Sequence, residues 1–135
     1  MNERTIFDPL RKKNVARTPE EEVRQWFIGV LRDSLGVPEH MMMSEVGFTY
    51  GNAGKQYRAD IVVFGRDAAP AAVVECKRPE VELTEKVLEQ ALRYDMVLSV
   101  RWIIVTNGTR TFAARRDGQT FKFEGSLPKY EQIIP

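Results

Sequence analysis

Two charged side chains, Glu75 and Lys77, stand at the end of a stretch that is otherwise apolar and reads as a buried strand. Residues two apart on a strand point to the same face, so the two charges share one face and Cys76 points to the other. A hairpin that turns symmetrically about residues 67 and 68 places Asp60 opposite Glu75, with the two Cβ atoms roughly 4.5 to 5.5 Å apart. The spacing therefore predicts two facing carboxylates with a lysine beside them.

Two facing carboxylates destabilise each other near a low-dielectric core unless a cation stands between them. A hard divalent ion such as Mg²⁺ or Mn²⁺ fits this need, with Asp60 and Glu75 as ligands and the backbone carbonyl of Cys76 as a further one. Such an ion neutralises charge on a phosphodiester and lowers the pKa of bound water, while Lys77 orients or deprotonates that water. The structural alternative is a salt bridge between Glu75 and Lys77, with Asp60 at an exposed strand start.

Three residues on predicted helices are candidates for the same cavity. Gln90 and Tyr94 lie four residues apart and share one helix face, although both also suit the margin of an amphipathic helix. Glu22 precedes the apolar stripe of the first helix, where an acid more often complements the helix dipole. Cys76 has apolar neighbours and reads as a buried structural thiol rather than a nucleophile.

The elements that must position these residues follow from periodicity and breakers. Thr18-Pro19-Glu20-Glu21 is a capping box, and an apolar stripe follows it at helical spacing, formed by Val23, Trp26, Phe27, Val30 and Leu31. Gly36 and Pro38 end this helix. Strands are predicted over residues 44–50, 57–64, 71–76 and 102–106, a second helix over about 83–99, and a final hairpin, 109–115 with 119–124, about Asp117-Gly118.

This order is helix, three strands, helix, strand and hairpin, which predicts an α/β fold. Three strands joined by short turns pair antiparallel, while the strand after the second helix can cross over to lie parallel to the central one. The result is a mixed sheet flanked by helices. We expect one domain over residues 1–135, with residues 1–17 as an irregular arm.

Composition narrows the class of protein. The chain has 135 residues, 43% of them hydrophobic and 29% charged, which is the profile of a globular domain. No apolar run approaches membrane-spanning length, so a cytoplasmic protein with no membrane partner is expected. One cysteine and one histidine exclude Cys- or His-rich zinc sites. The net charge of +1 leaves any contact with DNA to local basic clusters such as Arg11, Lys12, Lys13 and Arg17, which otherwise read as a solvated leader.

Taken together, Asp60, Glu75-Cys76-Lys77 and Gln90-x-x-x-Tyr94 resemble the PD-(D/E)xK nuclease superfamily. Further stretches resemble the N-terminal domain of the type I restriction enzyme R subunit: Asp8-Pro9-Leu10-Arg11-Lys12-Lys13, Thr18-Pro19-Glu20-Glu21-Glu22-Val23-Arg24-Gln25, Arg58-Ala59-Asp60-Ile61-Val62-Val63, Glu75-Cys76-Lys77-Arg78-Pro79, Leu88-Glu89-Gln90-Ala91-Leu92-Arg93-Tyr94 and Val105-Thr106-Asn107-Gly108. The resemblance implies a restriction-endonuclease-like αβββαβ core that cuts DNA with Mg²⁺, endonucleolytic rather than exonucleolytic. It implies metal ligation by Asp60 and Glu75, water positioning by Lys77, an accessory role for Glu22, and support of the site or the DNA by Gln90 and Tyr94.

One departure from such an R subunit is large. The sequence has no Gly-x-x-x-x-Gly-Lys-Ser/Thr loop and no room for an ATP-driven motor, so the resemblance does not transfer ATP dependence. The alternative hypothesis is therefore a non-catalytic module that keeps the nuclease fold and binds nucleic acid or assembles with other subunits. A homodimer is a third hypothesis.

Overall fold

A computed structural model describes residues 4–50 and 52–134, without the side chains of residues 50 and 94–98. The strands are β1 (Thr5–Asp8), β2 (Lys13–Ala16), β3 (Met42–Tyr50), β4 (Lys55–Phe64), β5 (Pro70–Cys76), β6 (Trp102–Thr106), β7 (Thr111–Asp117) and β8 (Thr120–Glu124). The helices are α1 (Pro19–Gly29), α2 (Glu85–Leu98) and α3 (Tyr130–Ile133), with a π-helical turn Val30–Ser34 and a 3-10 turn Glu39–Met41. Within the described residues, no helix is long and apolar enough to span a bilayer.

Six strands form one mixed sheet in the order β3-β4-β5-β6-β7-β8. Every neighbouring pair is antiparallel except β5 and β6, which are parallel and are joined through α2. This crossover is the one that the sequence predicts, because a parallel neighbour needs a connection long enough to return to the starting edge. The predicted αβββαβ core with a terminal hairpin is thus confirmed in α1, β3 to β5, α2, β6 and the pair β7 and β8.

The first helix begins as its capping signal predicts. Thr18 Oγ1 accepts a hydrogen bond from the N–H of Glu21 at 3.0 Å, and Pro19 occupies the first turn. The predicted stripe is wrong at Trp26, which is 47% exposed. The helix buries Ile28 instead, on the other side of Phe27, so its buried face is rotated away from Trp26.

The irregular N-terminal arm predicted for residues 1–17 is a second error. β1 and β2 form an antiparallel hairpin with Thr5 opposite Ala16 and Asp8 opposite Lys13. Asp8 is fully buried and its Oδ1 accepts the N–H of Leu10 at 2.7 Å and the N–H of Arg11 at 3.2 Å, which closes the turn. The cluster of basic residues suggested a solvated leader, but the turn depends on a carboxylate buried by tertiary contacts.

Each face of the sheet has its own core. The face covered by α1, the π-helical turn and α3 holds Phe27, Leu31, Val74 and Ile104 among its buried residues, together with Cys76 at 2% exposure. The face covered by α2 buries Val62, Val73, Leu88 and Ile103, among others. β5 therefore lies between two apolar layers, and its polar end at Glu75 is the exception along the strand.

Candidate active site

The register of β4 and β5 places Asp60 beside Glu75. The ladder pairs Ile61 with Val74 and Val62 with Val73, and its continuation by one residue sets Asp60 against Glu75. This is the register that a hairpin symmetric about residues 67 and 68 predicts. A shift in pairing between Val63 and Phe64 absorbs an irregularity nearer the turn without moving the pairs at the site.

Asp60 lies at a break in the alternation of β4. Tyr57 and Ala59 belong to the core on the α2 face, whereas Ile61 belongs to the core on the α1 face. Its neighbour on β3, Glu45, has a left-handed φ of 56°. The alternation of side chains is thus interrupted at Asp60, whose carboxylate reaches the backbone at the end of β5.

Two donors hold the Asp60 carboxylate. Oδ2 accepts the backbone N–H of Cys76 at 2.7 Å, and Oδ1 accepts a bond from Nη2 of Arg24 at 3.0 Å. Burial raises the pKa of Asp60 to about 6, against the lowering effects of the Cys76 N–H and of Arg24, and Glu20 raises it further. The carboxylate is therefore fixed in direction, and burial makes its charged form costly even with Arg24 beside it.

Glu75 lacks the partners that Asp60 has. Its Oε1 atom is buried and has no hydrogen-bond partner among the described residues. Burial raises the pKa of Glu75 to about 7; Lys77 lowers it and Glu20 raises it. A buried carboxylate oxygen without a donor is normally avoided, so this atom marks a place where a cation would be stabilised.

The chemistry of the donor set suits a hard cation. In the described part of the chain, no three His, Cys, Asp or Glu side chains are grouped closely enough to form a complete protein cage for a metal. Mg²⁺ commonly needs no such cage, because it keeps several waters and binds through one or two carboxylates together with substrate phosphate. Asp60 and Glu75 fit that manner of binding.

The backbone around Lys77 is held by β6 and the turn that follows it. The N–H of Lys77 donates to the carbonyl of Thr106 at 2.8 Å. Asn107, which is buried, donates from Nδ2 to the carbonyl of Val81 at 2.9 Å and accepts the N–H of Thr109 and of Arg110 on Oδ1. The segment after β5 is thus fastened to the sheet, which fixes where the half-buried Lys77 side chain starts.

The acid of α1 that acts on the site is Glu20 and not Glu22. Glu22 is exposed and forms an ion pair with Arg17 at 3.5 Å. Glu20, half-buried in the first turn, raises the pKa of both Asp60 and Glu75 by its charge. The two residues are 200° apart around a helix, so the choice between them depends on how α1 rests on the sheet, which spacing from the apolar stripe did not reveal.

Of the two α2 candidates, only Gln90 has a described side chain. Gln90 is exposed and forms no hydrogen bond to Asp60 or Glu75 within the described residues. The side chain of Tyr94 lies outside the described part of the chain. Cys76 is a buried free thiol whose pKa is raised well above its ordinary value, chiefly by burial, as suits a structural residue.

Sequence reasoning missed Arg24, which is buried and contacts Asp60 directly. Its guanidinium also lies 2.8 Å from a carboxylate oxygen of Glu45 and 3.4 Å from one of Glu21. A signal was available, because Arg24 is next to Val23 and four residues before Ile28, on the apolar side of α1. A charge on that side is rarely buried without partners, so it calls for a nearby carboxylate.

The mixed sheet with helices on both faces, with one carboxylate in the middle of β4 and a carboxylate and a lysine at the end of β5, is a nuclease-like α/β fold. The chain belongs to the type I restriction enzyme R protein N terminus (HSDR_N) family, whose model matches residues 19–128. No curated protein matches the sequence.

The fold also occurs in solved structures, among them the following two. One is a fragment of a protein from Vibrio vulnificus proposed to be the HsdR subunit of a type I restriction enzyme, with 21% identity and a TM-score of 0.65 over 86% of this chain. This chain spans 24% of that one. The other, from Anabaena variabilis, is proposed to be a nuclease of the DUF820 group, with 13% identity and a TM-score of 0.55, covering 90% of this chain and 80% of that one.

Proposed function

We propose that this domain is a metal-dependent nuclease that hydrolyses DNA phosphodiester bonds by endonucleolytic cleavage, using Mg²⁺ or Mn²⁺. The observation that carries the proposal is the buried, unpartnered Oε1 of Glu75 beside the fixed carboxylate of Asp60. A purely structural strand end would satisfy that oxygen with a donor. Here the oxygen is available to a cation.

Each residue has a distinct role in this proposal. Asp60 and Glu75 are the metal ligands, with the backbone carbonyl of Cys76 as a further one. A bound divalent ion would neutralise phosphate charge and acidify a water molecule. Lys77 shares the face of Glu75 and holds the attacking water through its ammonium group. Glu20 adds negative charge that strengthens the attraction for a cation.

DNA is the proposed substrate because of the family and of basic groups beside the site. Arg58, two residues before Asp60 on β4, is 67% exposed, and Arg78, directly after Lys77, is 56% exposed. Arg58 on β4 and Arg78 in the segment after β5 are thus close in sequence to the carboxylates, and exposed guanidinium groups suit contacts to phosphates. Other restriction-modification subunits are proposed partners by family membership. ATP-driven activity is not part of the proposal.

A cleavage assay tests the proposal. Linear duplex, supercoiled circular and single-stranded DNA, together with RNA, would be incubated with Mg²⁺, with Mn²⁺ or with EDTA. We expect nicking or linearisation of the circle with either ion, and loss of cleavage in Asp60→Ala, Glu75→Ala and Lys77→Ala. Lys86→Ala, an exposed lysine in the first turn of α2, is the matched control for Lys77.

The outcomes separate the hypotheses. Cleavage that survives in Asp60→Ala and Lys77→Ala comes from a contaminant and refutes the proposal. DNA binding in a gel shift without metal binding by calorimetry would instead favour the non-catalytic module. Products from linear DNA or RNA, with the circle left intact, would contradict the endonucleolytic assignment.

A further inference from the structure

A chain of ion pairs runs from the N-terminal hairpin to Asp60. Asp8 pairs with Nε of Arg11, and Nη2 of Arg11 lies 2.7 Å from Oε1 of Glu21. The same Glu21 oxygen lies 3.4 Å from Nη1 of Arg24, whose Nη2 lies 3.0 Å from Oδ1 of Asp60. Side-chain exposure is at most 22% along the whole chain of pairs. Positive and negative groups alternate from one end to the other.

Arg24 is the residue that connects this series of ion pairs to Asp60. Its side chain is 5% exposed, and its Nε and Nη1 atoms have no hydrogen-bond partner among the described residues. A guanidinium buried in this way is held by charge, here by Glu21, Glu45 and Asp60. Removing one of these carboxylates weakens the electrostatic attraction that holds the Arg24 side chain in place.

Asp8, at the hairpin end of the series of ion pairs, is anchored to the sheet. The Oδ2 atom of Asp8 accepts a hydrogen bond from Oγ of Ser44 at 3.1 Å. Ser44 lies on β3 opposite Ile61, the residue after Asp60. The hairpin turn is therefore tied to the strands on which the site is built, as well as to α1 through Arg11 and Glu21.

We propose that Arg24 is a positioning residue for Asp60, and that the N-terminal hairpin holds Arg24 in place through Arg11 and Glu21. The inference rests on the proposed function, in which Asp60 is a metal ligand. The hairpin lies before residue 19, where the family match begins, and reaches the site through these side-chain contacts.

The geometry explains how positioning would work. Arg24 fixes Oδ1 of Asp60 while the N–H of Cys76 fixes Oδ2, so the carboxylate cannot rotate. An ionised carboxylate has about four lone-pair sites, and each oxygen keeps one for a cation. Residues that orient a metal ligand in this way typically contribute about 10- to 100-fold to metal affinity or activity.

The test compares Arg11→Gln and Glu21→Gln with Arg17→Gln. Arg17 is the matched control because it also joins the N-terminal segment to an acid of α1, Glu22, but in an exposed pair at 3.5 Å. The first readout needs no metal: the resonance and hydrogen exchange of the Cys76 amide, which donates to Asp60. The second is Mn²⁺ affinity by calorimetry.

We expect the Cys76 amide to lose protection by about tenfold in Arg11→Gln and Glu21→Gln, as for one lost charge-assisted hydrogen bond. Core amides such as that of Ile104 should change much less, whereas a merely structural role would lower all of them together. Mn²⁺ affinity should fall by about tenfold. Arg17→Gln should match the wild type in both readouts.

Equal behaviour of Arg11→Gln and Arg17→Gln at the Cys76 amide overturns the inference. If the wild-type domain itself binds no Mn²⁺, the proposed function fails, and the Cys76 amide alone then decides the positioning role. Arg24→Lys gives an independent check, because it keeps the charge. It should restore much of the Mn²⁺ affinity lost in Arg24→Gln, and equal loss in both variants would contradict the role given to the Arg24 charge.

Discussion

The carboxylate of Asp60, in the middle of β4, accepts the backbone N–H of Cys76, at the end of the adjacent β5, at 2.7 Å. This bond places one acidic side chain against the backbone of the strand that carries the other, Glu75. It also uses a donor that the β5 ladder leaves available at its end. The approach of the two carboxylates is therefore built into the pairing of β4 and β5.

Glu75→Gln should stabilise the metal-free domain and abolish its response to metal. The amide removes a desolvated charge whose Oε1 has no partner, so we expect a gain of about 1 kcal/mol, or about 4 °C in Tm for a domain of this size. The measurement is thermal unfolding in EDTA and again with Mn²⁺. A lower Tm in EDTA would show that Glu75 has a stabilising partner, against the proposed cation site.

The stabilisation produced by Mn²⁺ should increase with pH between about 5 and 8. Burial raises the pKa of Asp60 to about 6 and that of Glu75 to about 7, so protons compete with the ion below these values. Raised carboxyl pKa values also mean that the metal-free fold binds protons more tightly than the unfolded chain does. Their contribution to the free energy of unfolding is present at low pH and is lost as the pH rises through the folded pKa values.

Denaturant titrations at several pH values, with and without Mn²⁺, check this prediction. Ion present at 100 times its Kd would add about 2.7 kcal/mol at the high-pH end. In Glu75→Gln, the metal-free loss of stability between about pH 4.5 and 7 should become smaller. A shift that is constant from pH 5 to 8 would mean that the ion binds elsewhere.

Glu20→Gln should weaken Mn²⁺ binding more than Glu22→Gln. Glu20 acts by its charge on Asp60 and Glu75, so its neutralisation removes part of the attraction for a cation, and we expect about a threefold to tenfold loss of affinity. Glu22 pairs with Arg17 on the surface. Calorimetry on the two variants decides between them, and a larger effect of Glu22→Gln would restore the assignment made from sequence.

Lys77→Met should lower turnover without loss of metal. In the proposed site Lys77 is not a ligand, so Mn²⁺ affinity should stay the same or rise, because a positive charge has been removed. Loss of water positioning should reduce kcat by about 10²- to 10⁴-fold. Single-turnover cleavage and calorimetry on the same preparation measure both. Unchanged cleavage with altered affinity would make Lys77 a purely electrostatic neighbour.

Local signals predicted most of the fold. The capping box at Thr18, the Asp117-Gly118 turn and the apolar run that forms β5 each act within a few residues, so they can be read without the rest of the chain. The hairpin of β1 and β2 was not predicted, because the carboxylate that closes its turn, Asp8, is buried by contacts with Arg11 and with Ser44. A buried acid and a solvated one look alike in sequence.

In the site, too, local signals predicted some features and tertiary contacts decided the others. Strand alternation predicts that Glu75 and Lys77 share a face, and the turn between β4 and β5 sets Asp60 opposite Glu75, so the sequence by itself determined that the two carboxylates face each other. The selection of Glu20 over Glu22 and the contact of Arg24 with Asp60 were decided only by the tertiary structure. Both depend on how α1 is rotated against the sheet, a relation between elements distant in the chain that local periodicity does not encode.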